Sequence, residues 1–324
     1  MIDYLTEEAG LSARLLVPAA VFLSFFVTFL LILGLRGILP RDQGRKFAVN
    51  GALSEGKPRG AGLVIVAGFI LVSALTVRLD KELLVYLGFI FLAMLSGYLD
   101  DAAKTPWGEL KKGIVDLVIS AGTAYAFYYF NSARVHLALF DMGFTLHPAV
   151  FVALGTVLVW GAVNVTNCTD GVDGLCATLS VITLGTLAAL IHFAGGDGRF
   201  AVMLVILCGA LAAYLWFNAS PSKLLMGDAG SRALGVVIAL GALKTGSPLL
   251  FLLVAAVFIV DGGLGLVKLS FIRYLKWKDF LKNTRTPIHD HMRKNKGWSD
   301  TQVVFRFAII QLVLCALVAA YLIN

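Results

Sequence analysis

The chain has 324 residues, of which 59% are hydrophobic and only 15% charged, with a mean hydropathy of +0.85. Those values exclude a soluble domain and a disordered chain, and they describe an integral membrane protein. The formal net charge of +7 is unevenly spread, so its distribution carries the information, and no nucleic-acid partner is expected.

Cys168, Cys176, Cys208 and Cys315 lie in or beside apolar runs without CxxC or Cys/His spacing, and read as small hydrophobes. Asp3, Glu7 and Glu8 make the N-terminus acidic where a signal peptide would be basic, so the first apolar run is expected to stay as a span. Membrane-length runs follow at 15–35, 62–77, 83–99, 114–130, 148–163, 175–193, 200–217, 233–243, 249–267 and 303–323. A chain in lipid must satisfy its backbone internally, which predicts an all-α integral membrane protein of ten transmembrane helices. The eighth run is the weak one, because eleven apolar residues fall short of the ~20 a bilayer asks for.

Charge counting tests that weakness. With ten spans, one side of the membrane holds or closely flanks twenty-one Lys and Arg residues and the other only six, namely Arg14, Arg78, Lys81, Arg134, Arg199 and Lys244. Positive residues concentrate on the cytoplasmic side, which puts both termini outside. If the eighth run did not cross, the most basic loop would move outside, so the bias predicts that it crosses. The chain then reads as one polytopic domain, 1–324, with cytoplasmic loops 36–59, 100–113, 164–174, 217–232 and 273–302. The last mixes Trp277 and Phe280 with lysines, and two readings stay open: a segment lying along the membrane surface, or an ordinary positive-inside loop.

Every conspicuous polar cluster falls in those loops. Between two apolar runs stands NVTNCTDGVDGL, where Asn167, Asp170 and Asp173 recur every third residue and would share one face of a helix. Ionisable groups at membrane depth face a cavity, a partner or a metal; the structural alternative is a capped helix junction. The third run ends in Asp100 and Asp101, whose repulsion needs relief from Lys104 one turn on or from a divalent cation. The seventh leads into Asn218 and MGDAGS with Asp228, and the ninth into PIHDHMRKNKGW with His289 and His291. Oxygen ligands of this kind suit Mg²⁺, which takes one or two carboxylates and completes its shell with water and phosphate. Asp261, inside the ninth run, is expected to line the cavity or to pair with Lys268.

These motifs, DDxxK at Asp100, Asp101 and Lys104, NCTDGVDGL from Asn167, Asn218 with MGDAGSRALG, and PIHDH with KGW at 296–298, resemble the polyprenyl-phosphate N-acetylhexosamine-1-phosphate transferase superfamily. The likeness covers nearly the whole chain and is greatest to the phospho-N-acetylmuramoyl-pentapeptide transferases. It implies transfer of phospho-MurNAc-pentapeptide from UDP-MurNAc-pentapeptide to undecaprenyl phosphate, releasing UMP and forming lipid I on the cytoplasmic face of a bacterial plasma membrane. It also leaves room for a homodimer. Asp228 is then the first choice as Mg²⁺ ligand, and Asp100 and Asp101 border the metal or orient the lipid phosphate. Asn167, Asp170, Asp173 and Asn218 would hold the nucleotide and metal shell, and Lys104 with Lys111 or Lys112 the phosphates. A strong base is unnecessary, because a phosphate monoester loses its second proton near pH 6; Asp100 is the candidate if one is used.

The chain departs from the family pattern at Asp290, where a third histidine is usual, at Glu55 for a lysine, with Lys57 and Arg59 as substitutes, at Leu225 for an aromatic, and at Lys268 for a glutamine. His289 and His291 are expected to point together at phosphate oxygens from a non-helical segment after Pro287, with Asp290 turned away toward Arg293 or Lys294. Two rivals remain. A sibling N-acetylglucosamine-1-phosphate transferase would share the first three motifs but not the histidine element with KGW. A secondary transporter would not need its polar groups at one face.

Overall fold

The structure, a computed structural model, describes residues 13–44 and 54–323. Asp3, Glu7, Glu8, Arg45 and Lys46 lie outside them. Twelve helices and one hairpin follow in order: α1 Ala13–Leu35, α2 Gly62–Thr76, α3 Lys81–Asp101, α4 Glu109–Asn131, β1 Arg134–Leu137, β2 Met142–Thr145, α5 Pro148–Thr169, α6 Leu175–Phe193, α7 Gly198–Asn218 and α8 Gly227–Lys244. Then come α9 Pro248–Val254, α10 Ala256–Tyr274, α11 Ile288–Lys296 and α12 Asp300–Ile323.

Seven helices are long and apolar enough to cross a membrane, and the bent pair α9 and α10 makes an eighth. Their large apolar side chains on the outer surface, such as Leu92, Val118, Val157 and Leu312, are exposed, as a bilayer-facing surface requires. Nine of the ten apolar runs lie in one helix each, with Val77 just past the end of its helix, and the ninth run is divided between two. Two fall outside that group of spans for different reasons. Helix α2 is apolar but has 15 residues, about 22 Å of rise. Helix α8 has 18 residues, about 27 Å, and every residue from Gly227 to Leu243 is buried. It packs against α2, α3, α5 and α6, so protein surrounds it and its polar first turn never meets hydrocarbon.

Close approach makes that burial possible. Gly97 lets α3 lie against the start of α8, where a Cβ would overlap the carbonyl of Asp228. Small residues at helix contacts serve the same end in membrane bundles generally.

The ninth run, expected as one span, is broken. Helices α9 and α10 meet at 71°, followed by a π-helical turn at Ile259–Gly263. A break inside a bilayer exposes peptide groups, and here side chains take them up. Gln311 of α12, fully buried, accepts from Val257 N at 3.1 Å and donates Nε2 to the Val254 carbonyl. Thr183 of α6 donates to the same carbonyl at 2.9 Å.

At the end of the bundle where α3 begins, Lys244 of α8 reaches Glu82 of α3 at 2.7 Å and Asp197 at 3.4 Å. Its Nζ also donates to Asn131 of α4 at 3.2 Å. Tyr86 donates to Glu82 at 2.6 Å, and this buried network ties α3, α4, α7 and α8 together at one end.

Candidate active site

At the opposite end the same helices, together with α5 and the loop before α2, bring carboxylates together. Asp100 and Asp101 close α3, Lys112 and Asp116 open α4, and Asp228 and Arg232 stand in the first two turns of α8. Asp101 Oδ2 accepts from Ala229 N at 3.1 Å, so it caps α8 and sits at the positive end of that helix dipole. Gly227 turns the chain into the helix at φ +73°, and a Cβ there would run into the Asp101 carboxylate. Only glycine fits both demands.

Three cations thread between the acids. Arg59 donates to Asp101 Oδ1 at 2.8 Å and Asp42 Oδ1 at 3.0 Å, and its Nη2 lies 3.4 Å from Asp228 Oδ1. Its loop is pinned above α8 by backbone bonds from Ala61 N to Leu225 O, 3.1 Å, and from Leu225 N to Pro58 O, 2.8 Å. Burial alone would lower the Arg59 pKa, but Asp101, Asp228 and Asp42 raise it above its ordinary value. Lys112 bridges Asp100 Oδ2 and, at 3.3 Å, Asp228 Oδ2. Arg232 reaches Asp116 at 2.9 Å, Asp228 at 2.9 Å and Asp100 at 3.5 Å. Five carboxylates thus face three cations, a net charge of −2. Among the described residues no three His, Cys, Asp or Glu side chains form a metal cage.

The NVTNCTDGVDGL stretch does not present its three polar residues on one helical face. Helix α5 ends at Thr169, Asp170 is its C-cap, and the chain then turns. Asn167 donates to Ser231 Oγ at 2.9 Å and so touches the start of α8. Asp173 instead accepts from Ser222 N at 2.9 Å. Asn218 accepts from Gly174 N at 2.8 Å and donates to Leu224 O at 2.9 Å. Those two side chains clamp the 170–174 turn to the 218–225 loop, so part of the stretch does serve as a junction.

The histidine element also differs from expectation. Pro287 is the N-cap of α11 rather than a breaker, and His289, Asp290 and His291 are helical, so the two imidazoles splay apart by about 200°. His289 is buried against Asp261, and its ring packs on the 170–174 turn, where a Cβ on Gly171 would overlap Nε2. His291 accepts from Arg285 N at 3.3 Å. Asp290 stands 3.6 Å from Arg293, the expected partner, and 3.9 Å from His289 Nε2. Asp261 does not pair with Lys268, which donates to Thr284 O at 2.7 Å.

The lysines separate as well. Lys112 enters the cluster, Lys111 lies over the Trp107 ring at 3.5 Å, and Lys104 is exposed with no ion-pair partner among the described residues. Relief of the Asp100–Asp101 repulsion therefore comes from Lys112, Arg232 and Arg59, not from Lys104. The sequence reading missed Asp42, Asp116 and Arg232 as members. A carboxylate at 116 inside the run 114–130 and an arginine one turn after Asp228 were the available signals.

Comparison with known proteins places the chain in a family. Residues 83–246, from the start of α3 to just past α8, match glycosyl transferase family 4. Over 93% of its length the chain is 37% identical to a phospho-N-acetylmuramoyl-pentapeptide-transferase of Treponema pallidum (strain Nichols), covering 87% of that protein. A protein of the same name from Borrelia garinii subsp. bavariensis is 33% identical over 71% of this chain and 70% of its own. One from Bartonella quintana (strain Toulouse) is 29% identical over 85% and 83%. The match over residues 83–246, in a chain with seven or eight membrane-length apolar helices, defines a membrane-embedded member of glycosyl transferase family 4. Within it, the chain belongs to the phospho-N-acetylmuramoyl-pentapeptide transferase family.

Proposed function

We propose that the chain transfers phospho-MurNAc-pentapeptide from UDP-MurNAc-pentapeptide to undecaprenyl phosphate, yielding lipid I and UMP in peptidoglycan synthesis. The observation that carries the reading is the cluster of Asp100, Asp101 and Asp228 with Arg59, Lys112 and Arg232 at the N-terminus of α8. Phosphoryl transfer is mainly positioning and charge neutralisation, and a helix N-terminus flanked by movable cations suits both.

The donor set fits a divalent cation. Its oxygens are hard, its net charge is −2, and Mg²⁺ takes one or two carboxylates without a cage. Asp228, with Asp100 or Asp101 beside it, would hold Mg²⁺, which supplies charge neutralisation at the transferring phosphate. Lys112 is partly exposed on a flexible stem, so it can leave Asp228 for a phosphate oxygen. Arg59, also partly exposed, can do the same. Lys104, solvent-facing beside the cluster, is assigned to the incoming diphosphate, with Asn167 and Asp170 beside the nucleotide. His289, held by Asp261, donates or accepts at Nε2 near the 170–174 turn.

The reading extends to topology. All ten helical runs cross, with α8 as the enclosed one and the basic loops inside, so the cluster faces the cytoplasm and both termini the outside. Parallel transfer assays with purified protein, labelled UDP-MurNAc-pentapeptide or UDP-GlcNAc, and undecaprenyl phosphate test the reading. Lipid-linked product from the first donor alone supports it, product from the second alone makes the chain the sibling enzyme, and none from either overturns it.

A further inference from the structure

Arg232 is 2% exposed, and every residue of α8 between it and Lys244 is apolar. It lies one turn beyond Asp228 and spreads its guanidinium between two helices. Nη1 donates to Asp116 Oδ1 at 2.9 Å, and Nη2 donates to Asp228 Oδ2 at 2.9 Å. Its Nε has no hydrogen-bond partner among the described residues. A buried donor left unsatisfied is uncommon and calls for an explanation. Here the explanation is that the side chain is placed by its two terminal nitrogens, at the expense of the third.

The two oxygens of Asp228 are thereby unequal. Oδ2 is held from inside the protein by Arg232 at 2.9 Å and approached by Lys112 at 3.3 Å, whereas among the described residues Oδ1 has the longer contact of 3.4 Å to partly exposed Arg59. Asp116 in turn sits in the apolar run of α4, where an unpaired carboxylate would be costly. Asp116 and Arg232 together add no net charge to the site, and the contact to Asp228 is made through Arg232 alone.

We propose that Arg232, anchored by Asp116, is a positioning residue that ties down Oδ2 of Asp228 and leaves Oδ1 turned toward the divalent cation that Asp228 would hold. The inference rests on the reading of Asp228 given under Proposed function. A lysine cannot replace this arginine, because one ammonium nitrogen does not span two carboxylates on different helices as a guanidinium fork does.

The deciding variant is the double substitution Arg232→Met with Asp116→Leu. It removes one charge of each sign, and replacing a buried ion pair by apolar residues is often neutral for stability. Full-length protein in detergent is compared with wild type by thermal unfolding, by kcat and donor KM, and by Mn²⁺ affinity from electron paramagnetic resonance. Wild-type melting, unchanged donor KM, and losses of about tenfold in kcat and about tenfold in Mn²⁺ affinity are expected. Wild-type kcat and Mn²⁺ affinity in the double variant overturn the proposal and leave the pair a packing element. Should the double variant fail to fold, Arg232→Lys decides: it keeps the charge, and wild-type kcat in it overturns the proposal equally. If wild-type protein transfers nothing, the functional reading fails, yet the Mn²⁺ comparison still judges the positioning role.

Discussion

His289 gives Asp261 two hydrogen bonds at once: its backbone N–H reaches Oδ1 at 2.7 Å and its Nδ1 reaches Oδ2 at 2.8 Å. A carboxylate only accepts, so Nδ1 carries the proton and Nε2 is the atom left to act. Asp261 thereby sets both the position of α11 and the tautomer of the ring. In Asp261→Asn, kcat is expected to fall by at least about tenfold with the fold retained. The double variant with His289→Ala should then cost little more than His289→Ala alone, because the two residues act as a unit. Additive losses in that cycle would mean separate roles.

Asp228 supplies the sharpest test of the cluster. Asp228→Asn keeps the shape but removes the charge that would hold a divalent cation on phosphate, so turnover should be lost almost entirely. Chelation by EDTA should abolish wild-type activity, and Mg²⁺ or Mn²⁺ restore it. Asp290→Asn should stay within a few-fold of wild type, since Asp290 pairs with Arg293 on its own helix. Steady-state rates at saturating substrate compare the two.

The lysines are expected to divide by role. Lys112→Met leaves Asp100 and Asp228 facing each other with one cation fewer and should lower kcat by more than about tenfold. Lys104→Met alters only an exposed side chain and should raise donor KM a few-fold while kcat holds. Initial rates across a donor titration distinguish these outcomes, and equal losses of kcat would place Lys104 inside the cluster.

At the far end of the bundle, Lys244→Met takes the ammonium from Glu82, which keeps the Tyr86 hydroxyl, and from Asp197, which keeps Arg199 at 3.5 Å. Breaking a buried pair by removing one partner costs about 3 kcal/mol or more. The variant should melt at a lower temperature in detergent, while the fraction that remains folded turns over within a few-fold of wild type. Thermal unfolding followed beside activity checks both halves.

Much of this site is legible in the sequence, because charge in an apolar context is rare and each instance stands out. Asp100, Asp101 and Asp228 close or open apolar runs, and they do meet. The ten runs are likewise helical almost throughout. What the sequence hides is partnership across helices. Asp116 and Arg232 are 116 residues apart, and nothing in periodicity joins them. The polar turn after α5 misled in another way: a three-residue spacing suggests a helical face, but Gly171 and Gly174 end the helix and send Asp173 to the backbone of Ser222. Pro287 misled by its position, since proline disfavours a helix before it yet suits the start of one after it. The bend between α9 and α10 carries no proline at Ala255 and no charge, and its support lies in a glutamine far along the chain.

That glutamine ties the bend to the order in which the chain is made. Gln311 follows Val254 by 57 residues, so α9 and α10 leave the ribosome well before the side chain that completes their junction. Until it arrives, Thr183 can serve the Val254 carbonyl but Val257 N has no side-chain acceptor, so the kinked form would hold a bare peptide N–H in hydrocarbon at several kcal/mol, and a straighter segment is favoured. Insertion of α12 is therefore the event that sets the kink, and Asp261, only a few residues past it, takes its final place at that moment. The site is therefore completed from its C-terminal side: its acids on α3 and α8 are made early, but the histidine side waits for α12 to be threaded into the bilayer.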